Sequence, residues 1–180
     1  MKRVLFSVFL LTLFGCDNEQ IKTYEVDKNL NNFSTDSIFT MKKAPTIMKD
    51  FSSTLPEGWK EVPPSGMRKI SYTIANSTID FYAISLGMGD ITSNVNRWRK
   101  QIDLPEQSTE EILSYAKELN ASGIPVKYFE LINKDINKGI LAAIIDLNSI
   151  YWFFTAKGNV EELNTHSSDI QRFINSIYFN

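Results

Sequence analysis

Six consecutive residues, Asn94-Val95-Asn96-Arg97-Trp98-Arg99, concentrate the recognition chemistry of this chain. Arginine presents a planar fork of N–H donors that matches a carboxylate or phosphate group. Asparagine adds a donor and an acceptor. On a helix, Asn94, Arg97 and Gln101 share one face, and Asn96 and Arg99 share another. Asn94, Asn96, Arg97, Trp98 and Arg99 are therefore the candidate ligand- or partner-binding residues, with Arg97 as the anion fork. The competing reading is structural: an arginine that satisfies strand-end carbonyls or lies over Trp98 or Trp59. Gly87-Met88-Gly89-Asp90, just upstream, could cradle an anion on backbone N–H groups. Asp90 places its own carboxylate there, however, which predicts a capped and unoccupied helix start.

Other chemistries have little foothold. His166 is the sole histidine, and no second His or nearby Cys completes a metal site. There is no G-x-S-x-G, H-E-x-x-H, S-x-x-K or P-loop pattern. The carboxylate pairs Glu110-Glu111 and Glu161-Glu162 fall in helix first turns, where acids offset the dipole. No catalytic residue, metal or cofactor is expected. An enzyme using Asp80 and Tyr82 in a cleft is the main rival, and a passive structural protein is the other.

Cys16 is the only cysteine. Before it stand Lys2 and Arg3, then eleven residues, Val4 to Phe14, apolar except for Ser7 and Thr12. That run is shorter than the roughly 20 residues a membrane-spanning helix needs and reads as a cleavable leader. Leu13-Phe14-Gly15-Cys16 has the form of a bacterial lipobox, so residues 1–15 are expected to be removed and Cys16 to be acylated. Two or three acyl chains give a lasting anchor, because each buried CH₂ contributes about 0.8 kcal/mol. Asp17 then resembles an enterobacterial signal for retention in the inner membrane. The expected address is the bacterial cell membrane, with the domain held outside the cytoplasm.

Without Lys2 and Arg3, 17 basic residues face 21 acidic ones, and no basic stripe suggests nucleic-acid binding. No disulfide is available to staple the fold. Residues 16–43 are rich in Asn, Asp, Lys, Ser and Thr without a period and read as a lipidated cysteine plus flexible tether. Residues 44–180 suffice for one domain.

The elements that must position Arg97 follow from periodicity. Ile91, Val95, Trp98 and Ile102 form one apolar stripe, predicting a helix from Ile91 to about Lys100 with Asp90 as N-cap. Residues 47–52 read as a possible edge strand, Leu55 to Gly58 as a turn, and Trp59 as a cap on the core. Met67–Ile74 and Thr78–Leu86 alternate as strands around Ala75-Asn76-Ser77. Ser108 and Glu111 form a capping box for a second helix, Thr109 to Asn120, buried through Ile112, Tyr115, Ala116 and Leu119 and closed by Ser122-Gly123. Three strands follow, Val126–Ile132, Ile140–Leu147 and Ile150–Ala156. The last is apolar on both faces and is predicted to be central. A final helix starts near Val160, or at Thr165, and carries its stripe to Tyr178 and Phe179. The fold class is α+β, a mostly antiparallel sheet with helices packed on it.

LPEGW, GMGDITSNVNRWRKQIDLP, GIPV, YWFFTAKG and FINSIYF together resemble a group of uncharacterised bacterial envelope proteins whose wording runs close to "GW…MR…NVNRWRGQ…WFFKLTG…F…SIRF". Over about residues 53–180 the plan is similar to the PsbP-like fold of the extrinsic PsbP protein of photosystem II, a Ran-binding nuclear import factor and DcrB-type lipoproteins. That resemblance implies an α/β/α sandwich and an accessory or binding module rather than an enzyme. Lys100 and Lys157 depart from the group's wording, and neither touches an obvious chemical group. The expectation is a lipid-anchored envelope module that binds an envelope protein or a small ligand where the central helix meets the sheet.

Overall fold

The structure, a computed structural model, describes residues 50–180 except Met88. The leader, Cys16 and the tether lie outside the described residues. Strand β8 (Ile150–Gly158) sits fourth in a seven-stranded sheet of order β2-β3-β4-β8-β7-β6-β5, in which every pairing is antiparallel. The remaining strands of that sheet are β2 (Trp59–Val62), β3 (Ile70–Ile74), β4 (Asp80–Leu86), β5 (Lys117–Ala121), β6 (Ile124–Asn133) and β7 (Lys138–Leu147).

Side chains on a strand alternate between faces, so β8 feeds two cores. Trp152, Phe154 and Ala156 pack with Leu141, Ala143 and Ile145 of β7 beneath helix α3 (Val160–Asn175). Phe153 packs on the other face with Ile140, Ala142 and Ile144, under helix α1 (Ile91–Gln101) and the short α2 (Thr109–Ser114). The α+β class is borne out, and the helices take opposite faces of the sheet. Among the described residues no helix is long and apolar enough to cross a membrane.

The predicted stripe of α1 seats it. Val95, Trp98 and Ile102 are buried, and the Trp98 ring meets Phe153 edge-on at 6.1 Å. On the other face Phe173 of α3 meets Trp59, Tyr72 and Phe81 at 5.4, 5.5 and 5.3 Å. Gly139 and Gly158, paired across β7 and β8, let α3 start close to the sheet. A Cβ at Gly139 would stand 2.7 Å from a Leu163 methyl.

Three expectations are corrected. The second helix ends at Ser114, and Lys117–Ala121 forms strand β5. Tyr115 is the C-cap, its hydroxyl donating to Gln107 (3.0 Å) and its ring edge-on to Phe129. Ser122 and Gly123, both at positive φ (49° and 97°), form a two-residue hairpin turn rather than a helix cap. Leu119 and Ala121 then pack toward α3 at a spacing of two. Second, Trp59 opens strand β2, paired with β3, which the turn reading had not anticipated. Third, the last helix stops at Asn175, and β9 (Tyr178–Phe179) pairs with β1 (Phe51–Ser52) in a separate two-stranded sheet. The break comes where Ser176 caps the helix and bonds both Thr54 and Phe173.

Tyr128 of β6 is fully buried under α3. Its hydroxyl meets no partner at full hydrogen-bond geometry and lies beside Ser167 and Gln171, which bond to each other. Burial, reinforced by the charge of Glu130, pushes its pKa from 10.0 up to about 12. The fold favours the protonated phenol, so stability is intact below pH 10 and declines as pH rises from about 10 toward 12. Urea unfolding between pH 9 and 12 should show the wild type losing about 2–3 kcal/mol more than Tyr128→Phe. Parallel curves for the two proteins would show that Tyr128 does not set the alkaline limit.

Candidate functional site

The N-terminus of α1 is closed by its own acid. Asp90 accepts the Ser93 N–H at 2.8 Å, and bonds from the Ser93 side chain and backbone hold its carboxyl below the usual carboxylate range. Gly89, at φ 141°, brings the chain so close that a Cβ would stand 3.0 Å from the Asn94 amide nitrogen. The predicted capped start is what the geometry contains.

The six-residue motif divides its side chains between core, loop and solvent. Val95 and Trp98 enter the core beneath α1. Asn94, 6 % exposed, donates to the Asp90 carbonyl at 2.9 Å and accepts from Arg97 Nη2 at 2.7 Å. Asn96 clamps the Gln107 backbone twice, donating to its carbonyl and accepting its N–H, both at 2.9 Å. Arg99, 8 % exposed, donates from Nε to the Pro105 carbonyl at 2.7 Å. Asn96 and Arg99 thus fasten the 103–108 connection to α1. Arg97 stays exposed, aimed by Asn94 rather than laid over a tryptophan.

The other end of α1 meets the sheet through a row of charged and aromatic side chains. Gln101 accepts a bond from Lys157 Nζ at 2.6 Å. The same ammonium lies 5.4 Å from the Tyr82 ring, whose centre is also 4.1 Å from the Arg68 guanidinium. Arg68 forks both carboxylate oxygens of Asp80, at 2.8 and 2.7 Å. Asp80 and Tyr82, the pair considered for a cleft enzyme, are therefore engaged by cations on a mostly half-buried row. Lys157 does touch chemical groups, contrary to the expectation, and only long-range pairing brings it to Gln101. Beside it a cavity of about 390 Å³ opens between the end of α1 and the adjoining ends of β7 and β8, lined in part by Gln101, Lys138 and Lys157.

His166 lies half-buried on α3 near Glu162. Glu162 accepts the Thr78 N–H and hydroxyl at 3.0 and 2.9 Å, which ties the first turn of α3 to the entry of β4. Among the described residues no three His, Cys, Asp or Glu side chains are grouped as metal ligands.

No family model and no curated protein matches this chain. Among solved structures it is similar to LpqN of Mycobacterium tuberculosis, described as involved in cell envelope biogenesis. That match has 12% identity and a TM-score of 0.51, covering 72% of this chain and 83% of that one. It is also similar to the cyanobacterial PsbP (CyanoP) of Synechocystis sp. PCC 6803, at 13% identity and a TM-score of 0.48, covering 74% of this chain and 89% of that one. The likeness to LpqN shows a shared fold.

Asn96→Ala should lower stability by about 1–3 kcal/mol, because it removes two bonds and strands two loop backbone groups. Arg97→Ala should cost less, about 1 kcal/mol or under, because it removes a single bond to Asn94 from a side chain that is itself exposed. Urea titration of both variants checks the division, and equal losses would contradict it.

Proposed function

We propose that the protein is a lipid-anchored accessory module of the bacterial envelope. In this reading its domain is non-enzymatic and binds an envelope protein or a small ligand through α1 and the adjoining sheet. The observation that carries the binding role is the fate of the six-residue motif. Five of its side chains are used within the fold, and Arg97 alone is held outward on a rigid helix with most of its fork available. A guanidinium fixed in this way loses little freedom on meeting a carboxylate or phosphate. The envelope address is supported by the Leu13-Phe14-Gly15-Cys16 motif behind a short apolar leader. The description of LpqN, which shares the fold, is in keeping with it. The PsbP-like resemblance supports the accessory role.

Mass spectrometry of the membrane-extracted protein should find Cys16 as the first residue, carrying diacylglycerol. Cys16→Ser should move the protein to the soluble fraction or leave the leader uncut. An intact leader with a free thiol on Cys16 would remove the anchor.

A photo-crosslinking residue at Lys100, on the exposed side of α1, should give one discrete adduct in intact membranes. Arg97→Glu should abolish that adduct while leaving the fold unchanged. An adduct of undiminished yield in the variant, or none in the parent, would remove Arg97 from the binding role.

A further inference from the structure

The cavity at the end of α1 has one-sided chemistry. Ile102 and Ile140 give it apolar walls, and the paired backbones of Gly139 and Gly158 add a surface without side chains. Every polar side chain lining it is a lysine or a carboxamide, and no carboxylate lines it. Each carboxamide oxygen already accepts one bond from within the fold. Gln101 accepts from Lys157, Asn137 accepts the Val160 N–H at 3.2 Å, and Asn159 accepts the Glu162 N–H at 2.8 Å. Their NH₂ groups, which only donate, make no hydrogen bond among the described residues. Lys138 and Lys157 add two ammonium groups, and neither is ion-paired among the described residues. Donors and positive charge around an apolar recess of about 390 Å³ suit a ligand of opposite character.

We infer that this cavity binds a small organic oxyanion, with its carboxylate or phosphate head against Lys138, Lys157 and the amide donors and a short apolar body against Ile102 and Ile140. The Lys157–Gln101 bond holds the ammonium at the rim without cancelling its charge, so the head meets a preset donor. This inference rests on the reading of the domain as a binding module and specifies its ligand class. It needs neither the lipid anchor nor a protein partner at Arg97.

The test uses the full chain in lipid nanodiscs, with empty nanodiscs as the blank, and reads saturation-transfer NMR of benzoate. Benzoate should bind saturably, and neutral benzyl alcohol about tenfold more weakly or not at all, the loss of about 1.4 kcal/mol. Lys138→Ala with Lys157→Ala should weaken benzoate about tenfold, whereas Lys138→Arg with Lys157→Arg should stay within about threefold. Displacement of benzoate by phenyl phosphate assigns the head to both oxyanions, and its failure assigns the head to carboxylate. Unsaturable transfer, equal binding of benzyl alcohol, or loss of binding in the arginine pair with an unchanged melting temperature would each overturn the site. A discrete, Arg97-dependent adduct at position 100 alongside any of those results would dispose of the cavity and leave the binding module standing. Benzoate binding without an adduct would support the cavity and remove only the Arg97 surface.

Discussion

A central strand with bulky side chains on both faces cannot be left against water on either one. Residues 151–156 of β8 run Tyr-Trp-Phe-Phe-Thr-Ala, and the pleat sends Trp152 and Phe154 one way and Phe153 the other. Each such aromatic contributes about 1.5–3 kcal/mol when fully buried. Helices are therefore required on both sides, and the chain supplies them from opposite directions. The connection after β4 carries α1 and α2 across one face, and the segment after β8 carries α3 across the other. The position of every candidate residue follows from that requirement, since Arg97 projects outward because Trp98 and Val95 must point inward.

The two covers differ in what they leave open. Beneath α3 the core runs across the sheet from β2 to β5 and includes the ring cluster of Trp59, Tyr72, Phe81 and Phe173. Beneath α1 and α2 it is narrower, and among its buried strand residues it draws on β6, β7 and β8. The uncovered part of that face is where Arg68, Asp80, Tyr82 and Lys157 line up. A helix that ends over the sheet instead of overrunning it leaves a ledge, and the Gln101–Lys157 contact and the cavity sit at that ledge. Recognition chemistry thus collects where the cover stops.

Period and punctuation made much of this legible. The four-residue stripe of α1, its Asp90 cap, the Ser108–Glu111 box and the doubly apolar β8 all rest on neighbours within a few positions, where local physics governs. Strand β5 failed that approach for a physical reason. Ile112, Tyr115, Ala116 and Leu119 fit a helical stripe, Leu119 and Ala121 fit a strand alternation as well, and pairing with β6 decided between them. The end of α3 was misjudged similarly, because Ile177 continues the helical spacing while Phe179 packs with Phe51 and Trp152. The outcome in both places depended on a partner far away in the chain.

The candidate site shows the same limit from another side. Residue type marked Asn96 and Arg99 as polar groups able to bind a ligand, and nothing local indicated that the 103–108 loop would fold back onto them. A polar side chain on a buried helix flank must find partners, and the nearest supply is the chain's own backbone. Loop closure therefore uses recognition chemistry before any ligand can. The side chains left over are those beyond the reach of such a loop: Arg97, on a different face of the helix, and the lysines near its far end. Lys138 and Lys157 are 19 positions apart in sequence and come to one rim only because Gly139 and Gly158 pair across β7 and β8. Because the anion-facing rim is created by strand register, a slip of one residue would turn Lys157 to the opposite face and dissolve it.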